Sequence, residues 1–399
     1  SWANTKALQL AGVTGRTPVP PGGKIVVDSS GQPTGILLEG AQSIVSRIIP
    51  ARTDAQRHEG LARMFKYANS FGITGLHQMG SIEDYVDLVE HGDPTLRIWY
   101  GHWGPAEQGK DYDAKLRSIL EVKASTTRRV SATGKEGSMG PLLTVGYVKL
   151  INDGVLSSHT AVLREAYEDR KNWKGEYITG PEDLKVQVRK VTAAGLPVAI
   201  HSIGDAAVKA SLDAFEAAKD NAVPHPNRIE HLELVHPEDM PRFKALGVVA
   251  SMQPNHGTNS IAYVPTRVGP EREKWAYLWK ALLDTGVPLV FGADYPTSPL
   301  DPLTQIADAT FRTSPFGFYE GKPWHQEQKV DFEQALHAYT QAGASMTEWK
   351  DQIGSITVGK WADFVVLSGK VPQPLTPAFR DLKVRYTYFG GRQVYARAP

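Results

Sequence analysis

Three stretches decide the fold: Leu196–Asp205, LPVAIHSIGD; Arg228–His231, RIEH; and Val287–Pro296, VPLVFGADYP. Each reads as a short buried strand that closes on a polar side chain, respectively His201, His231 and Asp294. Short apolar runs bounded by turn signals fit parallel strands covered on both faces. Two imidazoles and a carboxylate at the carboxyl ends of such strands form a ring in which nitrogen and oxygen can hold a divalent ion.

Working outward, further candidate strands are Gly72–Gln78, Leu96–Gly101, Thr144–Asn152 and Val248–Gln253. Helical patterns such as AQRHEGLARMFKYANSFG, EDLKVQVRKVTAAG, DAAVKASLDAFEAAKD and EDMPRFKALG lie between strands, several closed by a glycine suited to a C-cap. The alternation predicts an α/β fold of parallel βα units. A parallel barrel closes with eight strands and carries its chemistry at their carboxyl ends. Seven legible strands therefore imply either an open sheet or a missing strand. Residues 1–55 read as a helix and a turn-rich excursion with a hairpin near Ser29–Gly31, an insertion or lid of the barrel domain. Residues 56–350 form the barrel, and residues 351–399 read as short β segments of a small β domain.

The 399 residues carry a formal net charge of +1 and are 41% hydrophobic, which allows a large core and gives no basic field for nucleic acid. No run reaches membrane-spanning length, and SWANTKALQLAGV lacks the basic start and long apolar run of a secretory signal. A cytoplasmic location is expected, with a secreted or periplasmic one left open. Cysteine is absent, so a bound metal depends on nitrogen and oxygen ligands. No nucleophile elbow, H-E-x-x-H helix, P-loop or dinucleotide fingerprint is present. Aromatics gather at Trp99, Tyr100 and Trp103 and again at Phe316, Phe318, Tyr319 and Trp324, either as ordinary core or as walls of an apolar pocket.

Each candidate has a structural alternative. His201 and His231 can be buried histidines that tie loops, and Asp294 can be a turn former. Their shared placement favours metal ligation, with Asp294 also accepting the proton of attacking water. Lys149 puts an amine in an otherwise apolar strand, where it either pairs with a carboxylate such as Asp153 or reacts with carbon dioxide to become an anionic ligand. Glu230 is expected to point away from the mouth. His77, His102, Gln253 and His256 sit at or beyond strand ends as candidate substrate contacts.

The ordered phrases SWANTKALQLAGV, PPGGKIVVDSSGQPTGILLEGA, GITGLHQMG, VKLINDGVLSSHTAVLREAY, HSIGDAA, RIEHLELV, VASMQPNH, FGADYP and GSITVGKWADFVVLSG span nearly the whole chain. Through them it resembles the amidohydrolase superfamily, in particular the YtcJ-like branch called amidohydrolase family 3, which includes the N-substituted formamide deformylases. The resemblance implies a metal-bearing (β/α)8 TIM-type barrel joined to a small β-sandwich. It implies a carboxylated lysine at Lys149, metal-binding histidines at His201 and His231, and a catalytic aspartate at Asp294. Zinc is the implied metal, one or two ions, with manganese as an alternative. The implied reaction is hydrolysis of a non-peptide amide or related carbon–nitrogen bond. Rivals on the same scaffold are deamination, ester or phosphoester hydrolysis, and silent ligand binding.

One departure stands out: the family's first strand ends in H-x-H, and no H-x-H occurs in residues 1–399. An upstream segment of the same protein, or a separate cleaved chain, is the expected partner, alongside a small amide-like substrate and a homodimer.

Overall fold

The computed structural model describes residues 1–20, 22–104, 111–314 and 317–398, excluding the side chains of Phe318 and Tyr319. Phe316, one of the gathered aromatics, thus lies outside the described residues.

The opening segment begins with a helix, Thr5–Leu10, capped by the Asn4 side chain. It continues into an antiparallel hairpin of β1, Lys24–Val27, and β2, Pro33–Leu38. The turn falls where the sequence predicts it. Asp28 Oδ1 accepts hydrogen bonds from the backbone N–H groups of Ser30 at 2.8 Å and Gln32 at 3.0 Å, as a short acidic side chain does in a turn. Leu8, Val13, Leu37, Ala41 and Ile44 give this segment its own small apolar cluster. Thr160 Oγ1, beyond the fifth strand, donates to Glu39 Oε1 at 2.9 Å and ties the segment to the barrel.

Seven parallel strands follow in chain order: β3, Gly75–Gln78; β4, Arg97–Trp103; β5, Leu143–Ile151; β6, Val198–Ser202; β7, Arg228–His231; β8, Val249–Met252; and β9, Leu289–Phe291. All seven match strands expected from sequence, with ends displaced by a few residues. The sheet curls so that alternate residues face a common bore. Trp99, Tyr147, Ala199, Val249 and Val290 pack there with Ala342, Met346 and Trp349, which close its floor. The other parity, including Val148, Leu150, Ile200, Ile229, Met252 and Phe291, packs against the surrounding helices. Two glycines make room for the aromatics in the bore. A Cβ on Gly146 would lie 1.9 Å from Trp99 Nε1, and one on Gly101 would lie 2.3 Å from the Tyr147 ring. Among the described residues β3 pairs with β4 alone and β9 with β8 alone, so the fold is a (β/α)8-type barrel left open between β9 and β3.

The expected helices form at Asp54–Ser70, Pro181–Ala193, Asp205–Ala217 and Met240–Ala245. Thr53 and Gln56 make a reciprocal capping box at the start of the first. The tail forms an antiparallel sheet of β10, Phe364–Leu367, β11, Val384–Phe389, and β12, Arg392–Ala396. It docks on the Asp54–Ser70 helix, where Thr387 Oγ1 donates to Asn69 O at 2.6 Å. Arg97 at the start of β4 is buried and makes a two-pronged pair with Asp363, Nε to Oδ2 at 2.7 Å and Nη2 to Oδ1 at 2.8 Å. No helix among the described residues is long and apolar enough to cross a membrane.

Candidate metal centre

Strands β6, β7 and β9 deliver His201, His231 and Asp294 to one mouth of the barrel. The backbone at His231 and Asp294 leaves the β region, with φ of 78° and 53°. Such left-handed residues other than glycine cost of order 1–3 kcal/mol each and cluster where function requires a particular side-chain aim. Helix Pro254–Ser260, entered directly from β8, adds His256. The candidate ligand atoms of His231, His256 and Asp294 all lie within 4.8 Å of one another.

His201 stands edge-on to His231, ring centroids 4.5 Å apart, and His256 lies nearly parallel to His231 at 6.0 Å. The hydrogen bonds select which nitrogens are free. His201 Nε2 lies 3.0 Å from Gly154 O, an acceptor, so it carries the proton and Nδ1 is left without one; His201 lies beside the three-residue group and is not one of its members. His231 Nδ1 lies 2.9 Å from Gln253 Oε1, so Nε2 is left. His256 Nε2 is buried without any partner. Burial moves all three toward the neutral form: His201 and His256 fall to about 4, and His231 well below its usual value. Neutral imidazoles with an unpartnered nitrogen are the state a divalent ion requires, so the donor set fits a metal.

Asp294 is open to solvent at the mouth. Crowding by protein nonetheless raises its pKa, while the nearby Lys149 charge pulls it down. Lys149 is 5% exposed and faces the bore from β5. Burial lowers its pKa to about 8, opposed by Glu230 and Asp294.

The alternative pairing of Lys149 with Asp153 does not occur. Asp153 is fully buried and accepts from the backbone N–H groups of Val162, Ile203 and Gly204 at 2.9–3.0 Å, which knits the loops after β5 and β6 beneath His201. Glu230, expected to point away from the mouth, faces the bore, where Arg228 Nε donates to its Oε1 at 2.6 Å. Although burial pushes its carboxyl up, Arg228 and Lys149 hold it down at about 2.

The four expected substrate contacts divide. Gln253 and His256 belong to the cluster itself, Gln253 as the acceptor that orients His231. His77 lies in the bore against Trp99, ring centroids 4.7 Å apart, and its Nδ1 accepts from Arg228 Nη1 at 2.8 Å. His102 packs edge-on to Tyr100 at 6.1 Å with Nδ1 on Trp103 O at 2.9 Å. In the aromatic groups, Trp99, Tyr100 and Trp324 are core, whereas Trp103 is 42% exposed and pairs in register with Lys149. Sequence reasoning missed Arg228 and Asp153 as organisers of the site. The charged residue opening RIEH and the acid directly after β5 were the available signals.

An open-ended parallel barrel with three imidazoles and a carboxylate at its mouth defines a metal-dependent hydrolase. The chain belongs to the amidohydrolase family, whose model matches residues 1–395. It is 30% identical over 396 residues to the putative amidohydrolase YtcJ of Bacillus subtilis, covering 99% of this chain and 72% of that one. It is 32% identical over 408 residues to the protein LONG AFTER FAR-RED 3 of Arabidopsis thaliana, covering 98% of this chain and 67% of that one. A solved structure of an uncharacterized metal-dependent hydrolase from Pyrococcus furiosus superimposes with a TM-score of 0.66 at 28% identity, over 90% of this chain and 67% of that one. The reaction class is hydrolysis of a carbon–nitrogen bond.

Proposed function

We propose that the protein hydrolyses a small non-peptide amide, with zinc as the resident metal and manganese as a substitute. The observation that carries this reading is the convergence of His231, His256 and Asp294, with His201 beside them and each imidazole offering a free nitrogen. Zinc suits neutral imidazole and carboxylate ligands. A divalent ion, when bound, makes hydroxide available near neutral pH and polarises the scissile carbonyl.

The chain's own residues do the rest. His201 Nδ1, His231 Nε2 and His256 Nε2 would hold the ion, with Lys149 on the bore side, and Asp294 would take the proton of the attacking water and pass it to the leaving nitrogen. Carboxylation of Lys149 is part of the proposal. No hydrogen bond or ion pair of its Nζ is found among the described residues, and a buried amine left so is poised to lose its charge. An upstream strand carrying further ligands, supplied by the same protein or by a cleaved partner, would pair with the outer edges of β9 and β3, which are unpaired among the described residues. Residues 1–55 serve as a lid over the mouth. Cytoplasmic residence and a homodimer complete the reading, and fractionation and light scattering test them.

Metal analysis of protein purified without chelator, followed by chelation and refilling, tests the whole. Turnover of a panel of simple amides is expected to vanish on chelation and return with zinc or manganese. Unchanged turnover by metal-free protein would sink the mechanism.

A further inference from the structure

A chain of buried hydroxyls runs behind the site and is used by no step above. Tyr277 donates its backbone N–H to Glu233 O at 3.0 Å, two residues beyond His231. Ser260 Oγ lies 2.7 Å from Tyr277 Oη and 2.6 Å from Tyr263 Oη. The three hydroxyls of Tyr263, Ser260 and Tyr277 thus form one hydrogen-bonded row. Ser260 is the last residue of the helix that carries His256, and the two are four positions apart, hence on one helix face.

The same helix has no slack against its support. A Cβ on Gly257 would stand 2.7 Å from the Trp279 ring and 3.3 Å from Tyr277. Trp279 is held from its far side by the guanidinium of buried Arg312, 4.3 Å from the ring centroid, and Arg312 Nη1 donates to Tyr277 O at 3.1 Å. Tyr277 therefore couples the strand-end turn after β7, which aims His231, to the helix that aims His256.

We propose that Tyr277 and Ser260 are positioning residues that hold His256 stacked over His231. This rests on the reading of the pair as metal ligands, and it makes the site's geometry depend on two hydroxyl groups that touch neither metal nor substrate. Residues that orient ligands typically change metal affinity or activity by about 10–100-fold when removed.

The test uses Tyr277→Phe and Ser260→Ala, which delete one oxygen each and keep the packing. Two quantities are read: the affinity and visible spectrum of cobalt in refilled protein, and the rate at which diethylpyrocarbonate acylates His256 in metal-free protein, followed by mass spectrometry with His91 as reference. Each variant should bind cobalt about tenfold or more weakly with an altered spectrum, and His256 should acylate several-fold faster while His91 does not change. Wild-type affinity, spectrum and His256 rate in both variants would overturn the proposal. Should Tyr277→Phe fail to fold, Ser260→Ala decides alone. Wild-type protein that takes up no divalent ion would defeat the hydrolase reading, and the acylation comparison would then decide the positioning role by itself.

Discussion

Gln253 Oε1 accepts the Nδ1 proton of His231 at 2.9 Å, so a residue on the loop after β8 determines which nitrogen the β7 histidine offers to a metal. Neither side chain could do this alone, since an unconstrained imidazole exchanges tautomers and rotates. Gln253→Leu removes the acceptor and keeps most of the volume. It is expected to weaken divalent-ion binding by about 10–100-fold without changing the fold, as read by competition with a metal indicator. Wild-type affinity would show that His231 is oriented by packing alone.

Lys149 supplies a second prediction. Its amine is buried in the bore beside the Arg228 and Glu230 pair, and burial lowers its pKa to about 8, so an appreciable neutral fraction is available to attack carbon dioxide near neutral pH. Refilling of metal-free protein should therefore be faster and more complete with bicarbonate than in carbon-dioxide-depleted buffer. Lys149→Ala should lose most bound metal and recover part of it in high concentrations of acetate or propionate, which can occupy the vacated space. Equal refilling with and without bicarbonate would remove the carboxylated lysine from the mechanism.

Asp294→Asn tests the proton role. The amide keeps the shape and a ligand oxygen but cannot accept the water proton, so kcat should fall by at least about 100-fold while metal content drops only in part. Full activity in this variant would assign proton transfer to another group.

Much of this was legible in the sequence because parallel strands buried on both faces announce themselves as apolar runs. All seven emerged, and with them the placement of His201, His231 and Asp294 at strand ends. Side-chain direction was harder to read. Strand alternation accounts for Tyr147 and Lys149 sharing the bore, but it fails at His231, where φ turns positive and the imidazole reaches the mouth although Glu230 before it also faces inward. Of the two alternatives for Lys149, pairing with Asp153 rested on proximity in sequence, and three backbone N–H groups hold that carboxylate instead. His256 was read as a substrate contact because nothing in PNHGTNS shows that a helix of about two turns brings its ring against His231.

Stability against pH follows from the buried titratable groups. Burial raises Glu233 to about 8 and Asp153 to about 7, above their usual carboxyl values. From there down to the ordinary carboxyl range the folded state binds more protons than the unfolded one, so these groups make stability fall as pH rises. Asp205, Asp294 and Asp308 shift the same way. Burial lowers His77 to about 3 and His201 and His256 to about 4, with His231, His102, His225 and His325 also lowered. Below about pH 6.5 the unfolded state therefore binds the extra protons at these seven histidines, and stability falls as pH falls. Between about 7 and 8 the carboxyls outweigh Lys149, whose amine, lowered to about 8, adds stability as pH rises, and the more numerous histidines dominate below. Metal-free protein should be most resistant to urea near pH 7, with a steeper loss toward pH 5 than toward pH 8. A monotonic rise in stability down to pH 5 would mean that these imidazoles are charged in the folded state.

The joint between barrel and tail sheet makes the last prediction. Arg97 is 1% exposed and spends its guanidinium on both oxygens of Asp363 and on the carbonyls of Met139 and Pro141, at 2.7 and 2.8 Å. Asp363 Oδ1 also accepts the N–H of Gly390 at the turn between β11 and β12. Asp363→Ala would leave a buried cation with neutral acceptors only and would free that turn. Breaking a buried pair from one side costs about 3–5 kcal/mol, whereas replacing both partners by apolar groups costs far less. Asp363→Ala should therefore destabilise the protein by about that amount in urea, and Arg97→Met combined with Asp363→Ala should recover part of it. Since Arg97 opens β4 at the end of the barrel opposite the mouth, cobalt affinity should stay at the wild-type level in the folded variant. A loss of metal binding without loss of stability would instead show that the tail sheet helps set the curl of β3 and β4 around the site.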